Sequence, residues 1–205
     1  MEGPWAEQHL QIIRTLMERT AVYRRALVPT TLWAGIMGAA AAAAGIGLNI
    51  DSLRGFVAYW MAAAVLALGG AVLMMRRQAI RDKEVFWSPP ARRVTQILLP
   101  PLLVGTFIAV WAFFPETDNR VVPVWLPAIW MALYGCGLHS AGFFMPQGIR
   151  LFGWIFIVIG GAVLLASPAP SSARLCHGLM GVSFGGLHLA YGAYLYITQS
   201  RNNGQ

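Results

Sequence analysis

Apolar stretches of about twenty residues recur along the chain and alternate with short polar segments. We interpret six of them as membrane spans, at residues 27–48, 56–75, 95–114, 121–143, 151–167 and 175–197. A helix of about 20 apolar residues is long enough to cross a hydrocarbon core of roughly 30 Å. No polar segment between the spans is long enough to bury a core of its own. The pattern therefore predicts an all-α fold, a six-transmembrane-helix bundle within residues 27–200.

Residues 1–26 show a different pattern, in which apolar positions recur at helical spacing among acids and arginines. Leu10, Ile13 and Leu16 fall on one side of a helix, and Arg14 falls elsewhere. This predicts an N-terminal amphipathic helix on the cytoplasmic membrane surface, with docking against a cytoplasmic loop or a partner as the alternative. Residues 201–205 are predicted to be a cytoplasmic tail.

The basic residues are distributed unevenly between the segments that join the spans. If both termini are cytoplasmic, twelve of the fifteen lysines and arginines lie inside, and Arg54, Arg120 and Arg174 lie outside. The positive-inside rule predicts this asymmetry. We therefore read the net charge of +7 as a topology signal with a secondary attraction to anionic membrane lipid, and not as a nucleic-acid interface.

Span six has a histidine near its middle, in the sequence SFGGLHLAYG at residues 183–192. An ionisable residue at that depth is a candidate functional residue. At 100° per residue, Gly185 and Gly192 lie within about 60° of His188 on one side, and Tyr191 lies within about 60° on the other. In span four, His139 also shares a face with small residues, at a depth that lets it approach His188. These five residues are the candidate cofactor-binding set.

Three interpretations of these histidines stay open. Two imidazoles on facing helices beside glycine suit haem b, whose porphyrin edge the glycines would admit. Alternatively, small residues let helices pack closely, and His188 donates a hydrogen bond to a neighbouring carbonyl or to Tyr191. In the third interpretation the histidines contact a ligand or substrate. No span contains Asp or Glu, which disfavours proton- or cation-coupled transport, and no convincing nucleophile and base pair is present.

Several segments together resemble a family of uncharacterised bacterial integral membrane proteins. They are the N-terminal IRTLMERTAVYR before a Gly/Ala-rich span, the aromatic and basic second loop before a proline-bearing span, YG in span four, and FGGLHLAYGAYLY in span six. The resemblance implies a six-span inner-membrane protein with no assigned activity. It includes His188, Tyr191 and Gly192 as matching positions, whereas His139 stands where the family has an apolar residue.

These observations lead to one expectation about function and two alternatives. We expect a multi-pass protein of the bacterial cytoplasmic membrane, more in the manner of a binding or accessory protein than of an enzyme. It would hold a hydrophobic ligand or a membrane partner near His188 and Tyr191. A haem b electron-transfer subunit using His188 with His139 is one alternative, and a small-solute transporter without an intramembrane carboxylate is the other. Glycine and alanine faces would serve a homo-oligomer or another membrane protein as partner.

Overall fold

A computed structural model describes residues 27–83, 85–114, 121–166 and 172–203, and every regular element within these ranges is helical. The predicted amphipathic helix at residues 1–26 and the last two residues of the predicted tail lie outside the described residues. The helices are α1 Leu27–Gly47, α2 Leu53–Arg81, α3 Pro89–Phe113, α4 Trp125–Ala141, α5 Gln147–Ala166, α6 Ala173–Met180 and α7 His188–Asn203. A π-helical segment, Gly181–Leu187, joins α6 directly to α7.

Four helices in the described part of the chain are long and apolar enough to cross a membrane. They are Leu27–Gly47, Leu53–Arg81, Ala91–Phe113 and Gln147–Ala166, and only 11% to 33% of each apolar stretch is buried. Large apolar side chains therefore face outward, including Leu66, Phe107 and Leu165. A soluble protein seldom exposes apolar surface on this scale, and lipid would cover it. The helical bundle is thus compatible with a membrane protein.

Most helix ends differ from the predicted spans because the helices continue beyond their apolar parts, whereas α4 begins later and ends earlier than the predicted span 121–143. Helix α2 runs to Arg81 and not only to residue 75, and its start is set by Ser52, whose Oγ accepts a hydrogen bond from the Gly55 N–H at 3.1 Å. Helix α3 begins at Pro89, where the missing N–H of a proline costs no helical hydrogen bond, and Ser88 precedes it without a side-chain capping hydrogen bond. Pro100 and Pro101 lie inside α3, which begins more than two turns before them.

Neighbouring helices run antiparallel. Aromatic side chains of one helix donate hydrogen bonds to backbone carbonyls of the next. From α1 to α2, Trp33 Nε1 donates to the Ala67 carbonyl at 3.1 Å. Near the other end of the same pair, Tyr59 Oη donates to the Ala41 carbonyl at 2.6 Å. Because the earlier α1 residue of these two contacts meets the later α2 residue, the two helices point in opposite directions. The glycine contacts between α4 and α5, and between α1 and the helix formed by α6, the π segment and α7, show the same antiparallel arrangement.

Helices α4 and α5 pack with their backbones in contact at glycine positions. A Cβ atom added to Gly135 would lie 2.7 Å from the Gly153 carbonyl oxygen. One added to Gly160 would lie 2.7 Å from the Ala128 carbonyl oxygen. Small residues permit this approach between helices, as in many membrane bundles. We call this contact the α4–α5 glycine seam.

A second glycine seam joins α1 to the α6–π–α7 helix. A Cβ atom on Gly38 would lie 2.6 Å from the backbone carbonyl carbon of Phe184, and one on Gly185 would lie 2.7 Å from the backbone nitrogen of Ala39. The α6–π–α7 helix therefore presents its glycine side to α1. Its other side faces α4 and α5, where the candidate site lies.

Candidate functional site

His188 is the first residue of α7, immediately after the π-helical segment, and only 4% of its surface is exposed. Its Nε2 atom is 2.8 Å from Tyr134 Oη on α4, so the pair forms a hydrogen bond between two helices. The π segment sets the position of His188, because a π turn holds more residues than an α turn and so rotates the residues after it about the helix axis. Such segments often occur at functional sites.

Aromatic rings surround the His188 imidazole on several sides. The ring centroids of Phe152, Phe156 and Phe184 lie 5.1, 5.5 and 6.2 Å from that of His188, and the Tyr134 ring lies 5.5 Å away. Phe152 and Phe156 come from α5, so three helices enclose the imidazole. We call His188, Tyr134, Tyr191 and these phenylalanines the aromatic box.

Two polar atoms of the aromatic box are buried and have no hydrogen-bond partner among the described residues, namely His188 Nδ1 and Tyr191 Oη. The backbone carbonyls of Ser183 and Phe184 face the His188 imidazole as hydrogen-bond acceptors, but neither reaches Nδ1 with the distance and angle of a well-formed hydrogen bond. Their negative oxygens favour the tautomer that has its proton on Nδ1. Nε2 then accepts from Tyr134 Oη, and the Nδ1–H faces these two carbonyls without a well-formed hydrogen bond.

Tyr191 lies one turn after His188 and shares a neighbour with it. Its ring stacks on Phe152, with centroids 4.5 Å apart and planes 14° from parallel. A Cβ atom on Gly148, near the start of α5, would lie 2.7 Å from Tyr191 Oη. The absence of a side chain at Gly148 thus leaves room for the hydroxyl group. The hydroxyl and His188 Nδ1 belong to the same aromatic box.

The glycines that the sequence placed beside His188 contact α1. Gly185 packs against Ala39, and a Cβ atom on Gly192 would lie 2.7 Å from a side-chain carbon of Leu32. Helix α1 therefore occupies the side of the helix that the haem interpretation assigned to a porphyrin edge. The imidazole of His188 is directed to the opposite, aromatic side.

The structure does not bring His139 and His188 together. His139 contacts Phe143 and Trp154, with ring centroids 5.5 and 5.2 Å away, and shares none of the ring contacts of His188. Phe152 and Trp154 are two residues apart on α5 and so point to nearly opposite sides. His139 Nδ1 is also buried without a hydrogen-bond partner in the described part of the chain.

Sequence reasoning missed Tyr134 as a site residue and gave no role to His177. Tyr134 is 54 positions from its partner His188, and its only sequence signal is the YG pair of the family resemblance. His177 is buried with both ring nitrogens occupied: Nδ1 accepts from Trp60 Nε1 at 3.0 Å, and Nε2 lies 3.2 Å from the Ile50 carbonyl oxygen. His177 therefore joins α6 to α2 and to the loop before it.

Neither the arrangement of possible metal ligands nor comparison with known proteins indicates what this site binds. Within the described ranges, no group of three or more His, Cys, Asp or Glu residues is arranged to hold a metal ion. The sequence matches no protein-family model, and comparisons with curated proteins and with solved structures find no significant match.

Proposed function

We propose that this protein is a non-enzymatic binding or accessory protein of the bacterial cytoplasmic membrane that holds a hydrophobic ligand in the aromatic box. The observation that supports the proposal is the pair of buried atoms without hydrogen-bond partners, His188 Nδ1 and Tyr191 Oη. Leaving such a group unpaired costs about 1–3 kcal/mol, so two within one turn of helix favour a bound partner.

The chemistry of the box indicates what the ligand must offer. With Nε2 engaged by Tyr134, His188 Nδ1 donates a hydrogen bond, so the ligand presents an oxygen acceptor. The Tyr191 hydroxyl donates or accepts, and the rings of Phe152, which stacks on Tyr191, and Phe184, which stacks on His188, make the surroundings of both polar groups apolar. A lipid-soluble molecule with an oxygen-bearing head satisfies these demands. A water molecule that bridges the two atoms is the competing explanation.

The proposed membrane arrangement has six spans with both termini in the cytoplasm, preceded by the surface helix at residues 1–26. Helix α4 and the continuous α6–π–α7 helix supply the two spans beyond the four long apolar helices. The antiparallel contacts support an up-and-down bundle with Leu27 and Asn203 at the same end. The family resemblance and the positive-inside asymmetry support the orientation and the bacterial membrane.

Reporter fusions test this topology. Reporters placed after Arg93 and after Gln205 are expected to indicate the cytoplasm, and one inserted in residues 115–120 is expected to indicate the outside. A C-terminus found outside would contradict the six-span arrangement.

The ligand proposal is tested on protein purified in a mild detergent. Chloroform–methanol extracts of the parent, His188→Gln and Tyr191→Phe are compared by mass spectrometry for small hydrophobic molecules present in stoichiometric amounts. Tyr196→Phe is the matched control, because it removes a hydroxyl from an exposed ring of the same helix. We expect a molecule that is retained by the parent and the control and reduced in both box variants.

Identical extracts from all four proteins would contradict the proposal. The same preparations test the haem b alternative, since a bound haem gives a strong absorption band in the Soret region. A colourless parent protein with a retained molecule supports the ligand proposal. A Soret band that is lost in both His188→Gln and His139→Gln would replace it with the electron-transfer alternative.

A further inference from the structure

Two arginines and two phenylalanines form an exposed patch at one end of the bundle, around the turn between α4 and α5. The guanidinium carbon of Arg150 lies 5.1 Å from the centre of the Phe143 ring, and that of Arg93 lies 6.0 Å from the centre of the Phe144 ring. Phe143 and Phe144 are 64% and 51% exposed. We call these four residues the α4–α5 turn patch.

The positive charge of the α4–α5 turn patch has no carboxylate partner within the described ranges. Those ranges contain two acids, Asp51 and Asp82. Asp51 lies in the loop between α1 and α2, which is at the opposite end of the bundle. Asp82 accepts a hydrogen bond from Gln78 Nε2 at 3.0 Å. Among the described residues, Arg93 and Arg150 therefore have no carboxylate partner, and their N–H groups can bind an anion.

The rings also restrict where these guanidinium groups lie. A ring that covers the face of a guanidinium group leaves the N–H groups at its edge available, and that edge matches the paired oxygens of a phosphate. The first turn of α5, which begins at Gln147, adds backbone N–H groups and the positive end of the helix dipole beside Arg150. The patch thus combines two cations with a helix start and two exposed aromatic rings.

We propose that the α4–α5 turn patch binds the phosphate group of an anionic phospholipid. The patch lies where α3 and α5 begin and α4 ends, so in the proposed membrane arrangement it is at headgroup level. Exposed aromatic rings favour that level because one side is apolar and the other wet. The positive-inside rule depends on how many basic residues lie on one side of the membrane and does not require any particular arrangement of them. The contacts of Arg150 with Phe143 and of Arg93 with Phe144 bring the two arginines to the same turn.

The test measures lipid association with the full chain, after its native lipid is removed by detergent exchange. Native mass spectrometry follows titration with phosphatidylglycerol and, separately, with phosphatidylcholine of the same acyl chains. We expect phosphatidylglycerol to bind more tightly, and Arg93→Gln or Arg150→Gln to weaken it about fivefold each. Arg174→Gln, an exposed arginine at the other end of the bundle, is the matched control and is expected to bind as the parent does.

Lysine variants maintain the test if a glutamine variant does not fold. Arg93→Lys and Arg150→Lys keep the charge but lose the planar fork, so we expect binding between that of the parent and that of the glutamine variants. Equal binding of the two phospholipids, or an equal loss in Arg174→Gln, overturns the proposal. Displacement of the lipid by excess inorganic phosphate also overturns it, because the site would then bind a small anion. None of these three outcomes depends on the aromatic box.

Discussion

Adjacent glycines on α5 offer a direct measurement of the α4–α5 glycine seam. An alanine at position 160 would place its Cβ atom 2.7 Å from the Ala128 carbonyl oxygen and 2.9 Å from the Ala132 backbone nitrogen. At Gly161 a Cβ atom meets nothing within 4 Å. We therefore expect Gly160→Ala to lower the free energy of unfolding relative to Gly161→Ala.

The size of the difference can be worked out from the geometry. Ordinary Cβ contacts begin at 3.4 Å, so Gly160→Ala requires α4 and α5 to separate locally by about 0.7 Å. A gap of about 0.5–1 Å already removes a quarter to a half of each dispersion contact across a seam. Overpacking of this kind costs about 1–3 kcal/mol. Both variants gain the same helix propensity of about 1 kcal/mol from glycine to alanine, so that term cancels between them.

Reversible unfolding in mixed micelles with a rising fraction of dodecyl sulfate gives the two free energies under the same conditions. We expect Gly161→Ala to match or exceed the parent, and Gly160→Ala to fall about 1–3 kcal/mol below Gly161→Ala. Equal stabilities of the two variants, or a higher stability of Gly160→Ala, would refute the close backbone contact between α4 and α5.

Substitutions at three further residues probe the buried polar side chains. His177→Ala is expected to lower the melting temperature measured by intrinsic fluorescence more than His188→Gln does, because it leaves Trp60 Nε1 and the Ile50 carbonyl unpaired; equal shifts would contradict this. His188→Ala should lower the free energy of unfolding by more than the average of about 0.6 kcal/mol for an interhelical hydrogen bond, since it also leaves a cavity among aromatic rings. His188→Gln keeps most of the side-chain volume and an amide, so its free energy of unfolding in mixed micelles should stay closer to that of the parent. Tyr191→Phe should raise the unfolding free energy of ligand-stripped protein by about 1–3 kcal/mol, because it removes a buried hydroxyl without a partner; a decrease would indicate that the hydroxyl is paired.

The helices could be predicted from the sequence because membrane thickness sets the length of an apolar stretch. Each predicted span overlaps a helix of the structure, and the largest differences in bounds, six residues each, are at the end of α2, the start of α3 and the end of α7, where polar residues continue the helix. Apolar length indicates where a helix is buried in lipid, whereas backbone hydrogen bonding and capping residues such as Ser52 decide where it begins and ends.

The faces of the last helix were less predictable, because the 100° rule holds only for an α-helix. The π-helical segment Gly181–Leu187 changes the rotation just before His188, and a single sequence contains no clear signal for it. The hydrogen bond to Tyr134 depends on α4 packing beside α7, which residue spacing within one span does not determine. His188 itself could be identified, since an ionisable residue in an apolar span is unusual wherever its partner lies.

The two buried histidines of the α6–π–α7 helix provide an internal comparison for the aromatic box. His177 and His188 are both more than nine-tenths buried, yet His177 has a partner at each ring nitrogen and His188 has one at Nε2 alone. If unpaired polar atoms reflected loose packing of this helix, both imidazoles would show them. Among the described residues of this helix, buried polar side-chain atoms without a well-formed hydrogen bond occur only at His188 and, one turn later, at Tyr191. Stability alone would have favoured apolar residues at these two positions, since an unpaired buried group costs free energy. The pairing of His188 with Tyr134 and the aromatic surroundings hold the imidazole in one orientation, which is what binding a ligand at Nδ1 requires.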